Sequence, residues 1–120
     1  MTTGDAGQRV TVQSRTETSD GRDGFTEVWT DVPPRRRAAR VRPMVGRDLE
    51  SARQIDPRIS HEVTLWYWRS YQTDFDGGRA RIVYHPTNSS GADRTFEVVG
   101  PPLDVDERHA ELRCLCREVT

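Results

Sequence analysis

The sequence predicts a mainly β protein: a small antiparallel β-barrel or strongly bent sheet of six to seven strands, with one short helix in a long connection. Three observations point there. Val and Thr, at twelve each, outnumber Leu at five, and branched side chains stiffen the backbone toward extended conformations. Short stretches alternating polar with apolar residues recur along the chain, separated by turns rich in Gly, Pro and Asp. Helical spacing occurs in one place only.

Taken in order, Met1 to Gly7 reads as a flexible tail, and residues 8–119 as a single domain. Arg9-Val10-Thr11-Val12-Gln13 alternates with the period of a half-buried strand, and a polar continuation extends it through Thr18. Ser19 to Gly24 turns the chain back into a strand from Phe25 to Val32, which makes a hairpin. Pro33-Pro34 ends that strand, because neither residue donates to a ladder; Arg35 to Arg42 then reads as a third strand at a sheet edge. Arg47 to Gln54, with Gly46 before and Pro57 after, is the short helix, set in a partly mobile connection from Pro43 to Ile59.

Ser60 to Tyr71 is the strongest strand, with Val63, Leu65 and Tyr67 on one face and Glu62, Thr64, Trp66 and Trp68 on the other. The two Trp present too much apolar area to stay wet, so they should meet a packed loop or another subunit. Asp74 to Gly78 is a turn, Ala80 to Tyr84 a strand, and Pro86 to Asp93 a polar loop. Thr95 to Val99 is a strand closed by Gly100-Pro101-Pro102; Asp104 to Arg108 is a charged turn, and the last strand runs from Ala110 to near Glu118.

Composition narrows the function classes. Leu, Ile, Val and Phe together number 23 of 120 residues, so the core is thin and neighbours in an oligomer are expected to complete it. The 18 basic residues are all Arg, and 19 acidic residues bring the net charge to -1, which argues against bulk polyanion binding while leaving room for local patches. Nothing in Met1 to Gly7 reads as a leader, and the longest apolar-rich run, Val63 to Tyr71, is far too short to span a membrane.

No catalytic or metal constellation is expected, and no cofactor. Cys114 and Cys116 stand two apart on one face of a strand, about 6.5 Å apart between alpha carbons, which strains a disulfide and favours reduced buried thiols. That spacing and three isolated histidines, His61, His85 and His109, do not make a zinc site. Asp74 and Asp76, and likewise Asp104, Asp106 and Glu107, lie in turn-like sequence, where Asp commonly bonds its own backbone. Nucleophile elbow, phosphate loop and dinucleotide fingerprint are all missing from the sequence, so an enzyme is not expected.

Two features invite a partner. Between Asp31 and Asp48 lie Arg35, Arg36, Arg37, Arg40, Arg42 and Arg47 with no acidic residue. They either hold phosphate or an acidic protein surface, or simply guard a sheet edge with charge. Trp66 and Trp68 beside Arg69 and Tyr71 offer a stacking platform for single-stranded nucleic acid, although strand aromatics more often pack within the fold or between subunits.

The order of these pieces resembles a known family. The strand at Arg9 to Gln13 is followed by Gly24-Phe25-Thr26-Glu27-Val28-Trp29, Ala38 to Pro43, and the linker Gly46-Arg47-Asp48-Leu49-Glu50-Ser51-Ala52. Then come Ser60 to Tyr67, Arg81 to Tyr84, Arg94 to Gly100, Asp104 to Arg108, and Leu112 to Glu118. Together they resemble the head-tail joining proteins of tailed bacteriophages, also called head closure or stopper proteins, from Gln8 to Val119. The sequence departs from that pattern at Trp66, where the family often carries Arg, and in the unusually basic reach from Asp31 to Ala38.

The resemblance implies a structural virion protein without catalysis. Copies would form a homo-oligomeric ring of six or twelve below the portal or adaptor protein, closing the DNA exit channel after packaging. A tail terminator or tail-completion protein would attach below. Such a protein sits in the virion neck, after assembly in the host cytoplasm, with no membrane involved. The connection bearing Gly46, Asp48, Leu49, Glu50, Arg53 and Ile55 would project toward the channel or a neighbouring ring. The Arg patch would face packaged double-stranded DNA or an acidic ring, and Trp66 and Trp68 would pack between subunits. A small barrel that binds single-stranded nucleic acid is the alternative reading.

Overall fold

The alternating stretches pair into one antiparallel sheet that closes on itself in the computed structural model of the chain, which describes residues 7–19, 21–22, 24–75, 80–86 and 93–119. The elements are β1 (Gln8–Ser19), β2 (Phe25–Asp31), β3 (Arg37–Pro43), α1 (Gly46–Ile55), β4 (His61–Trp66) and α2 (Tyr71–Asp74). They continue as β5 (Ala80–His85), β6 (Arg94–Val98), β7 (Leu103–Asp104) and β8 (Glu111–Val119). The barrel order is β1-β3-β4-β8-β6-β5, and β5 returns to β1 with Val12 opposite Ile82. Closure leaves those six strands without a free edge, which is how a small β protein avoids presenting unpaired backbone.

Alternation decides what fills the interior. Val10 and Val12 of β1, Val63 and Leu65 of β4, Ile82 of β5, Phe96 of β6, and Leu112, Cys114 and Cys116 of β8 are all fully buried. A buried Val, Leu or Phe side chain contributes about 1.5–3 kcal/mol over leaving it wet, so a short roster of inward residues suffices once the sheet has closed. Val32 and Phe75 plug this core from the connections after β2 and α2.

The edge of β1 that faces β3 is shared. Gln8 to Val10 pair with β3, and from Gln13 outward the same edge pairs with β2, with the Val32 N–H bonded to the Val12 carbonyl at 2.8 Å where the two meet. On the opposite edge, β1 pairs with β5 only as far as Ser14. Beyond Ser14, β1 and β2 therefore run on as a two-stranded arm outside the barrel. The break between β6 and β7 falls at Gly100, whose φ of +73° is left-handed and suits a residue without Cβ.

α1 lies on the outside of the barrel. Ala52, Met44 and Ile59 form a second small core with Leu49, and with Val99 and Leu115 from the barrel's outer face. Asp48 in its first turn and Arg53 in its last oppose the helix dipole, and Pro57 follows just past the end.

Three sequence expectations need correction or bounding. The third strand is not at an edge: β3 sits between β1 and β4, because the turn after Pro33-Pro34 returns the chain to the Gln8–Val10 stretch of the same β1 edge, which β2 leaves free. The central strand ends at Trp66, so Trp68 does not continue its outer face; it turns in against Phe75, with ring centroids 5.6 Å apart. Part of the expected tail, the Asp20 and Asp23 positions of the first turn, Asp76 to Gly78, and Asn88 to Gly91 of the polar loop lie outside the described residues.

Candidate assembly surface

Strand register builds a charged cluster on the outer face of β3, β4 and β8. Arg42 stands opposite Glu62, and Arg40 opposite Thr64, which in turn faces Arg113. All three arginines close over one carboxylate. Glu62 Oε2 pairs as an ion with Arg113 Nη2 at 2.8 Å, Arg42 Nη2 donates to both Oε1 and Oε2 at 3.4 Å, and Oε1 lies 3.9 Å from Arg40 Nη2. Glu62 is only 3% exposed, although it points away from the barrel interior. One carboxylate against three guanidinium groups leaves two positive charges in excess, fixed on rigid strands. Beside them on β4, Trp66 stays 40% exposed.

The basic stretch read from the sequence thus divides among several settings. Arg40 and Arg42 belong to the Glu62 cluster. Arg37 stacks over the Trp68 ring at 3.9 Å and donates to the Pro33 carbonyl, and burial lowers its pKa. Trp68 in turn donates from Nε1 to Asp74 at 2.7 Å, so the Arg37–Trp68–Asp74 set is internal packing. Arg35, 85% exposed in its side chain and 3.6 Å from Asp31, and Arg36 remain on the surface, as does Arg47 at the start of α1.

The expected channel loop is α1 itself. Gly46, Asp48, Glu50, Arg53 and Ile55 are exposed, and Leu49 is tucked against the second core. Between α1 and the barrel runs a groove of about 290 Å³ with Met44, Ala52 and Ile55 on one side, Val99, Leu103 and Leu115 on the other, and Arg113 at its border. Leu103 and Ile55 leave most of their apolar surface in water. The groove and the Glu62 cluster share Arg113 and so form one continuous face.

A polar pocket of about 210 Å³ on the opposite side contains Thr11, His85, Asp93, Arg35 and Arg36. Thr11 Oγ1 lies 2.7 Å from His85 Nε2, and His85 Nδ1 lies 3.0 Å from Asp93. The sequence hydroxyl, imidazole, carboxylate has the order of a nucleophilic triad, but Thr11 is 4% exposed in mid-strand, where no carbonyl carbon reaches it. Of the carboxylates read as turn residues, Asp104 accepts the His109 backbone N–H at 3.1 Å as a turn residue does, whereas Asp74 ends α2 and accepts from side chains, from Ser70 at 3.0 Å and from Trp68. Both cysteines are free and buried, and burial pushes the Cys114 thiol up to about 12, far from a reactive thiolate. Among the described residues no group of His, Cys, Asp and Glu is arranged to hold a metal ion, and no helix is long and apolar enough to cross a membrane.

The solution structure of a protein from Shigella flexneri 2a has the same fold: TM-score 0.73 at 23% identity, covering 98% of this chain and 96% of that one. No curated protein matches the chain. The family model for the phage head completion protein matches residues 1–119. The chain belongs to that family. It is a family of structural proteins rather than enzymes, and it associates this chain with the phage head and the head-tail region of the virion.

For a phage head completion protein, the informative features are surfaces, and two of them were missed in the sequence. Glu62 was counted as an ordinary outward residue of its strand, and Arg113 was not singled out at all. The signal existed: in an antiparallel barrel, Arg at alternate positions of two strands flanking one Glu must converge on it. Finding it required knowing that β3 and β8 are both neighbours of β4.

Proposed function

We propose that this head completion protein is a head-closure, or stopper, subunit. Copies form a ring of six or twelve below the portal or adaptor, close the DNA exit channel after packaging, and offer the tail its attachment surface in the virion neck. Residues 8–119 act as one unit in this role, after assembly in the host cytoplasm. The family match over the whole domain carries the reading. The thin core and the exposed apolar groove support it, since both suit a subunit that neighbours stabilise. α1, held by only a small second core, is the segment proposed to face the channel or the adjoining ring.

The test is electron microscopy of particles made after deleting the gene from its phage or prophage. Free tails beside DNA-empty heads are the expected result. Intact tailed particles would overturn the reading. The alternative, a single-stranded nucleic-acid binder, loses half of its platform, because Trp68 is packed between Arg37 and Phe75 and Trp66 alone stays open.

A further inference from the structure

β2 lies at the end of the strand order and pairs only with β1, so its second edge meets no strand among the described residues. β1 pairs with β5 only as far as Ser14, and a two-stranded ribbon is marginal in water on its own. One bond fixes which amides point where. The Val32 N–H donates to the Val12 carbonyl at 2.8 Å, so in this register the even-numbered residues of β2 turn their backbone groups toward β1. Antiparallel pairing alternates, and Phe25, Glu27, Trp29 and Asp31 therefore turn theirs to the open edge. Natural edges are commonly blunted by Lys, by Pro or by a bulge. Phe25–Asp31 contains neither Lys nor Pro, its register against β1 is unbroken, and its mid-strand charge, Glu27, is tied to Arg15 at 2.9 Å.

That edge is complementary to itself. Laid antiparallel across a twofold axis at Val28, Phe25 meets Asp31 and Glu27 meets Trp29, which uses every outward amide of the strand. Val28, 43% exposed in a single copy, faces its symmetry mate, and Thr26 faces Thr30. No carboxylates stand directly opposed. Sliding the partner by one pleat in either direction opposes Glu27 to Glu27 or Glu27 to Asp31, so like charge disfavours both slips. The carboxylates also bring their own partners: Glu27 has Arg15, and Asp31 has Gln13 at 2.8 Å and Arg35 at 3.6 Å. We propose that free copies of this chain pair edge to edge through β2, merging two arms into one four-stranded antiparallel sheet. The contact is isologous and sets the two copies in opposite orientations, so it belongs to subunits in solution and does not join like-oriented neighbours in a ring. It neither rests on the ring nor supplies its contacts. Seven residues a side is small against the roughly 20–30 of a standard interface, so the dimer exchanges reversibly with monomer.

Disulfide trapping and sedimentation of the full chain test this, with the native thiols buried and out of reach. In the proposed register Val28 meets its mate at a non-hydrogen-bonded position, where alpha carbons lie about 4.5 Å apart, within disulfide range. Val28→Cys should therefore give a covalent dimer under mild oxidation. Thr26→Cys should give none by itself and a heterodimer when mixed with Thr30→Cys. The parent should sediment as monomer and dimer exchanging with concentration. Glu27→Pro should abolish the dimer and keep the parent's circular dichroism, because the lost N–H and the added ring both lie on the open edge and the ladder with β1 is untouched. A parent that is monomeric at every concentration, with no Val28→Cys cross-link, would overturn the proposal. So would a dimer that survives Glu27→Pro, which places the contact elsewhere, or a Thr26→Cys variant that cross-links to itself, which breaks the register. A parent that sediments as rings with no dimer at any concentration would overturn the pairing and support the ring.

Discussion

Replacing Glu62 with Gln keeps the shape of the side chain and removes the one charge that three arginines share. The Arg113 ion pair at 2.8 Å joins a partly exposed guanidinium to a nearly buried carboxylate, a setting between exposed pairs at about 0–1 kcal/mol and buried pairs at about 3–5 kcal/mol. Arg42 and Arg40 stand farther off, at 3.4 and 3.9 Å, and are partly exposed, so each adds about 0–1 kcal/mol after screening. Gln retains some of the hydrogen bonding but leaves three like charges around a buried neutral group. The expected loss is about 2–4 kcal/mol. With a urea slope of about 2 kcal/mol/M, the middle of the usual range, the unfolding midpoint should fall by roughly 1–2 M with the slope unchanged. Trp fluorescence follows the transition, since Trp66 lies on the same strand as Glu62. Because Glu62 is buried, most of the loss should persist at 1 M salt. A midpoint within about 0.3 M of the parent, corresponding to roughly 0.5 kcal/mol, would show that the cluster is not held by this carboxylate and would refute the account of the face.

Other outcomes follow from the same structure. Burial against Phe96, together with the nearby Arg94 charge, lowers the His61 pKa. The neutral ring is therefore the folded form: stability is full above the unfolded value near 6.5 and declines as pH falls through that value toward the lower folded one. Thermal unfolding at pH 7.5 and pH 5 should show this decline in the parent and a smaller one in His61→Phe; equal declines would refute it. Cys114 and Cys116 should react with a thiol reagent at pH 8 only as fast as the protein unfolds, and immediate reaction would contradict their burial. Phe96→Ala should cost about 3–5 kcal/mol, read by urea unfolding, because the core has few large residues to collapse into the gap. Ala52→Asp should release α1, with hydrogen-exchange protection lost across Gly46–Ile55 and kept in β8.

Much of this fold is legible residue by residue. The alternation of Val63 and Leu65, and of Leu112, Cys114 and Cys116, identifies strands and their inward faces with no further information. The helix is equally local, bounded by Gly46 and Pro57. What alternation does not carry is who pairs with whom. β1 meets β5 across some seventy residues of sequence, as Val12 opposite Ile82, and no local pattern announces that contact. Without it the strand after Pro33-Pro34 looks like an edge, and its arginines look like edge guards or one continuous patch. With it, Arg40 and Arg42 fall beside Glu62, Arg37 falls on Trp68, and Arg35, Arg36 and Arg47 remain at the surface, Arg35 beside Asp31. Trp68 is misplaced for a related reason: its strand reads as running to Tyr71, five residues past its end at Trp66, and a strand end is set by what the next turn packs against.

Topology also gives the subunit two unlike ends. β1 enters the barrel at Gln8 and leaves it at Ser14, where the arm begins. β3 runs the other way and leaves past the Gln8 end at Pro43, where α1 follows. Arm and helix therefore exit from opposite ends of the same barrel, and antiparallel closure allows nothing else for elements that follow neighbouring strands. In a ring of the proposed kind every copy is oriented alike, so all the helices would take equivalent places, and all the arms would take equivalent places at the other end of their barrels. Such a ring has two chemically different faces before any partner binds. A joint between a capsid opening and a tail needs that polarity, and here it follows from strand direction rather than from any specialised residue.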